Sequence, residues 1–298
     1  MPRVIDTPTD AVIDLDTLVA HIETAPFDPD DSDALVALGP MLRALANNRT
    51  FLTDMAIAEL KTRCAGQIRD NGYSAQVMML RPPGGRYLLR AAFWPAMQDH
   101  VVRMSGTAPF FYHVPHDHAF HFLTIGYLGP GYRSDYYEYD GAKVAGAPGE
   151  HAGLRFVERS RLDEGRMLLY RANIDVHDQL PPDALSVSLS IMGVAPDQGW
   201  RRQYRFDTAT GCIAEAMTLS SAELLLALAV QCGTDNGLDM AEDFARRHPC
   251  DAMRWTAWEA IASTLPKEQG AADHWHRGMR NDSALVRMAS RARLEAES

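Results

Sequence analysis

The chain has 298 residues, a net charge of −10 and 46 % apolar residues, enough to bury a core in one large or two ordinary domains. No lysine- or arginine-rich block breaks the negative charge, which argues against nucleic-acid binding and against an anionic membrane surface. The four cysteines (Cys64, Cys212, Cys232, Cys250) form no Cys-x-x-Cys pair, the N-terminus carries no charged-then-apolar leader, and no apolar run is long enough to span a bilayer. The expectation is a cytoplasmic protein with reduced thiols.

Residues 8–70 predict helices over 10–22, 32–47 and 48–68, the last opened by Asn48-Arg49-Thr50 ahead of Phe51-Leu52. These helices are expected to cover one side of the strand-rich region rather than form a domain of their own. From Ser74 to Asp207 the pattern changes to short strands and turns. Strands are predicted over 75–80, 86–93, 122–128, 132–139, 165–170 and 185–192, with Pro82-Pro83-Gly84-Gly85, Gly129-Pro130-Gly131 and Asp140-Gly141 as turns. Short strands at near-regular spacing argue for a β-sandwich or a small barrel, whose open mouth can hold a metal dry and still reachable. Residues 178–183, polar and proline-rich, read as a turn.

Four of the eleven histidines (His113, His116, His118, His121) fall within nine residues just ahead of the strand 122–128. In extended chain, residues i and i+2 share a face, so His116 and His118 project side by side, as chelation of one transition metal requires. His177, about sixty residues later at the entrance of a predicted hairpin, is the candidate third ligand. His121 has an odd offset from both and faces away unless a bulge turns it inward, where it becomes an additional ligand. His113 precedes the strand proper and reads as an ordinary histidine. Arg86 and Arg90 lie an even number of residues apart on one strand and are candidate substrate forks, with surface ion pairing the plainer reading. Tyr112, Tyr136, Tyr139 and Tyr170 are candidate cavity-lining phenols, Tyr112 and Tyr170 being carried forward as substrate contacts. No residue is assigned as an acid or base.

From about Ser220 the chain turns helical again: 222–231, 238–247, 252–263, 270–279 and 283–295. The segments 251–257 and 284–289 look alike at a spacing of about 33 residues, which resembles HEAT-type stacked helix pairs. An ordinary helical subdomain accounts for the same residues.

His116-x-His118 with its Gly-Pro-Gly turn, and Gly165 through His177 with Pro181-Pro182, resemble the two motifs of the cupin superfamily over roughly residues 75–207. The glutamate that usually follows the second histidine is absent, with Phe122 and Leu123 in its place, which makes the pattern similar to the three-histidine, non-heme iron branch of thiol dioxygenases. Ser190 stands where that branch carries a further histidine, so the metal site is carried over and the thiol substrate is not. The resemblance implies an α+β fold: a cupin or jelly-roll β-barrel (74–207) flanked by an N-terminal helical segment (1–73) and an all-helical C-terminal region (208–298). It implies an iron(II) oxygenase or dioxygenase acting with O2 on a small amino-acid-like or carboxylate-bearing substrate, Arg90 being placed like that branch's carboxylate-binding arginine. Two alternatives stay open. One is a non-redox isomerase or hydrolase using zinc, manganese or nickel; the other is a non-catalytic metal- or ligand-binding cupin. A homodimer is expected by analogy, and the C-terminal helices are candidates for a protein partner.

Overall fold

The computed structural model describes residues 2–24, 27–233, 235–266 and 270–296. The chain divides into two compact units, Met1–Gly141 with Gly153–Gln198, and Ala142–Ala152 with Gly199–Ser298. In the first unit a six-stranded antiparallel sheet runs, in spatial order, β1 (Arg3–Val4), β7 (Met167–Tyr170), β4 (Phe122–Leu128), β9 (Ser186–Gly193), β3 (Tyr87–Trp94) and β2 (Val77–Met79). A separate three-stranded sheet runs β6 (Arg155–Arg161), β5 (Arg133–Glu138), β8 (Asp175–Leu180).

Period-two alternation decides how the larger sheet is covered. Odd-numbered residues of its long strands (Leu89, Ala91, Leu123, Ile125, Leu189, Ile191) pack against Leu18 and Ile22 of α1 (Leu15–Thr24), Leu35 of α2 (Ser32–Ala37), Leu42 and Leu45 of α3 (Gly39–Ala46), and Phe51 and Leu52 of α4 (Phe51–Lys61). Each such leucine or isoleucine contributes about 1.5–3 kcal/mol by burial. Even-numbered residues (Ala92, Trp94, Phe122, Leu168, Tyr170, Met192) face the other way, into an aromatic cluster with Tyr112, Tyr132 and Tyr136. The serines of β9 would be buried polar groups on that face, and they are bonded: Trp94 Nε1 donates to Ser188 Oγ at 3.0 Å, and Ser190 Oγ to Thr124 Oγ1 at 3.0 Å. Among the described residues the unit is thus helices, sheet, sheet. A closed barrel is not what the strand pairing describes.

Several elements differ from the sequence expectation. The helix expected over 32–47 breaks at Leu38, where Gly39-Pro40 starts a new one. That expected over 48–68 breaks at Arg63 and Cys64, both left-handed, before α5 (Ala65–Asp70). A short helix, α6 (His100–Ser105), follows β3. Residues 178–183 are not simply a turn: β8 runs through Leu180 because its backbone pairs with β5, Tyr136 opposite His177 and Ser134 opposite Gln179. Strands β1 and β6 were also unanticipated. The Gly129-Pro130-Gly131 turn forms as expected; Gly131 has φ +77 and a Cβ there would overlap the Leu162 carbonyl, so only glycine fits.

The second unit holds a hairpin of β10 (Tyr204–Asp207) and β11 (Cys212–Ala216), then α7 (Ser221–Gln231), α8 (Asp235–Arg247), α9 (Asp251–Ala262), α10 (Gly270–Gly278) and α11 (Ala284–Ala296). A capping box opens α7, with Ser220 and Glu223 satisfying each other's backbone N–H. The similar segments 251–257 and 284–289 fall in α9 and α11, and α9 packs against α7, α8, α10 and α11, most closely against α8. These are its neighbours within two helices on either side, which an ordinary helical subdomain provides as well as stacked pairs do, so the HEAT-type repeat is not shown. No helix among the described residues is long and apolar enough to cross a membrane.

Leu189 is wholly buried between the sheet and the N-terminal helices. Leu189→Ala is expected to lower unfolding free energy by about 2–5 kcal/mol in urea titration, with an unchanged slope.

Candidate metal centre

Pro115 biases Val114 toward extended backbone, and the segment reaches β8 through isolated bridges, Tyr112 opposite Gln179 and His116 opposite His177. His116 and His177 exchange backbone N–H···O bonds of 3.0 Å in both directions. His116 and His118 therefore lie ahead of β4 rather than within it, in extended chain that keeps the same alternation. Asn173 N–H donates to the His118 carbonyl at 2.8 Å and holds the second histidine in place.

The three imidazoles converge. His118 Nε2 lies 3.0 Å from His177 Nε2, and His177 Nε2 lies 3.3 Å from His116 Nε2. Among the described residues these are the one group of three or more His, Cys, Asp or Glu that brings ligand atoms together, all within 4.8 Å. Two ligands held about 2.1 Å from a metal stand about 3.0 Å apart at a right angle and about 3.4 Å apart at the tetrahedral angle. The two spacings to His177 fall in that interval. His116 Nδ1 donates to the Val114 carbonyl at 2.7 Å, which leaves its Nε2 lone pair free to ligate. Three lone pairs aimed at one point repel each other, and a cation there would resolve the repulsion, so the donor set fits a divalent transition metal.

Electrostatics favour the neutral form of two of the donors. His116 and His177 are 5 % and 2 % exposed. Burial, with the positive charge of Arg90 nearby, pushes His116 down to about 4. It holds His177 well below the usual imidazole value, the other two histidines adding to the effect. Aromatic rings wall the site: Phe111 lies 5.6 Å from His116, Phe120 and Phe122 lie 5.1 and 4.8 Å from His118, and Tyr170 lies 4.9 Å from His177.

The other candidates separate cleanly. Arg90, on the even face of β3, acts on both His116 and His177, stacks on Tyr73 at 5.1 Å, and has a buried Nε with no hydrogen-bond partner. Arg86, ahead of β3, turns elsewhere and donates to the Phe27 carbonyl at 2.5 Å. Tyr170 sits beside His177, its hydroxyl 3.1 Å from that of Tyr136, and burial raises its pKa well above the ordinary phenol value. Tyr112 is buried and donates to the Pro95 carbonyl at 2.7 Å. His121 Nδ1 accepts from Ala172 N–H at 3.0 Å and is not among the converging three. Asp117 faces away, bonded by Tyr139 at 2.6 Å and Asn173 at 3.0 Å. Tyr139 thus serves Asp117.

Gln179 went unnoticed in the sequence. It shares His177's face of β8, is 4 % exposed, and places its amide nitrogen 3.2 Å from Nδ1 and 3.1 Å from Nε2 of His177. An atom so nearly equidistant from both ring nitrogens lies over the imidazole rather than in its plane. The amide therefore packs on the ring and fixes its tilt.

No family model matches the chain, and no curated protein matches it. Solved structures to which it is similar include a hydroquinone 1,2-dioxygenase from a Sphingomonas species with 4-hydroxybenzoate bound, at 10 % identity over 43 % of this chain and 71 % of that one, with a TM-score of 0.28. A cupin domain from Bordetella pertussis matches at 11 % identity over 41 % and 96 %, with a TM-score of 0.24. A DMSP lyase from Ruegeria pomeroyi matches at 14 % identity over 65 % and 79 %, with a TM-score of 0.26. At TM-scores this low, nothing about this chain rests on those likenesses.

The depressed imidazoles give a pH dependence of known sign. Below pH 6.5 the unfolded chain protonates His116 and His177 while the folded chain holds them neutral, so stability present above pH 6.5 is lost as pH falls toward 4. For His116 alone the loss by pH 5 is about 2 kcal/mol. Melts of metal-free protein should show a smaller drop in Tm between pH 7 and 5 for His116→Gln than for wild type.

Proposed function

We propose that the chain is a mononuclear, non-heme metal enzyme of the cupin type, an iron(II) oxygenase or dioxygenase acting on a small carboxylate-bearing substrate. The observation that carries this reading is the convergence of three imidazole nitrogens beside Arg90, whose electrostatic neighbours among the described residues are the Tyr73 and Tyr132 phenols. A partly buried guanidinium without a carboxylate is costly unless a ligand supplies one.

His116, His118 and His177 would hold the metal. Iron(II) with three neutral ligands keeps its full charge and open positions, and when bound supplies the capacity to activate dioxygen. Arg90 binds the substrate carboxylate through its planar fork and thereby sets the substrate's orientation toward the imidazoles. Phe111, Phe120 and Phe122 keep bulk water from the donor atoms, which strengthens each electrostatic contact inside. Tyr170 and Tyr136, held protonated by burial, stay neutral hydrogen-bonding partners rather than bases. The same spacings also accommodate tetrahedral zinc, whose role would be to activate water.

Protein purified without oxygen is expected to contain near-stoichiometric iron by elemental analysis, absent from His118→Ala, and to consume oxygen with a carboxylate substrate. Stoichiometric zinc, manganese or nickel would replace the oxygenase reading with non-redox chemistry. No uptake of metal after reconstitution would leave a binding module.

A further inference from the structure

The mouth of the metal centre presents aromatic faces to its polar groups. Phe111 lies against His116, Phe120 against His118, and Tyr73 under the Arg90 guanidinium. Phe111 and Tyr73 are 38 % and 42 % exposed, and Phe120 is partly buried. Phe111 is also held in a conformation that a phenylalanine disfavours. Its φ is +56 and that of His113 is +60, on either side of Tyr112, which is pinned by its hydrogen bond to Pro95 and its packing on Phe110. A left-handed residue of this kind costs about 1–2 kcal/mol, and the exposed ring gains little from burial in return. Backbone strain held in this way gathers where a ligand is gripped.

Charge narrows the ligand further. Arg90 is the cation of this site, stacked on Tyr73 with a buried Nε that has no hydrogen-bond partner. Nearby carboxylates are committed elsewhere: Asp117 to Tyr139 and Asn173, and Glu138 to Arg155 and Arg171. Asp178 alternates to the opposite face of β8 from His177 and Gln179. A substrate ammonium group would leave water to meet no carboxylate and one repelling guanidinium.

We propose that the site takes an aromatic monocarboxylate, its anionic group on Arg90 and its ring against Phe111 and Phe120, and that it rejects zwitterionic amino acids. This rests on the metal-centre reading and narrows its substrate class.

The test is calorimetric titration of zinc-loaded protein, which is redox-inert, with benzoate, phenylacetate, acetate and alanine. Benzoate or phenylacetate should bind roughly tenfold tighter than acetate, and alanine no tighter than acetate. Phe111→Gly, which tolerates the left-handed backbone, should lower the ratio of benzoate to acetate affinity. Arg90→Gln should weaken all the carboxylates, with melting curves confirming that both variants fold. An aromatic preference that is absent, or that is undiminished in Phe111→Gly, overturns the proposal, as does alanine binding tighter than benzoate. Zinc titration of metal-free protein comes first and separates the two failures. No zinc uptake rejects the metal reading, and the ligand series on the metal-free protein then still decides this one; zinc uptake without the preference rejects only this one.

Discussion

The reciprocal pair of backbone hydrogen bonds between His116 and His177 is what the three-histidine cluster depends on. One partner belongs to the chain leading into β4 of the six-stranded sheet, the other to β8 of the three-stranded sheet. The bond from His113 N–H to the Gln179 carbonyl, at 3.0 Å, continues the contact on one side. Two ligands are therefore placed by main chain, which leaves their side chains only torsions to adjust. Catalytic geometry benefits from that kind of rigidity, since small displacements of a first coordination shell are expensive.

Burial and charge then make the cluster usable. Imidazoles in water titrate near neutrality and would compete with a metal for protons. Here the low-polarity surroundings and the Arg90 charge hold His116 and His177 neutral, while the buried phenols of Tyr136 and Tyr170 keep their protons. The result is a cluster of imidazoles beside one positive charge and walled by aromatic rings.

Local patterns in the sequence carried the parts of this fold that are local. The five C-terminal helices are legible because apolar spacing and start signals such as Ser220-x-x-Glu223 announce them. Strand β9 is legible because Ser and apolar residues alternate through it. The neighbouring projection of His116 and His118 is legible because extended chain alternates whether or not it is hydrogen-bonded into a sheet. What escaped depends on distant partners. Strand β8, Asp-Val-His-Asp-Gln-Leu, has no apolar rhythm of its own and exists because β5 pairs with it, so Gln179's place beside His177 was hidden. Arg86 and Arg90 look equivalent by parity, yet Arg86 precedes the first residue of β3 and the Phe27 carbonyl captures it. The left-handed turn at Phe111 has no sequence signature at all, since nothing about a phenylalanine announces positive φ.

The strict alternation of β9 separates two properties of the molecule by residue parity. Val187, Leu189 and Ile191 pack in the helix-backed core, whereas Ser188 and Ser190 bond Trp94 and Thr124 on the aromatic side. Drift at odd positions tunes how firmly the helices hold the sheet, and drift at even positions acts on the aromatic layer. A single strand thus lets the two faces of the sheet diverge independently, one substitution at a time.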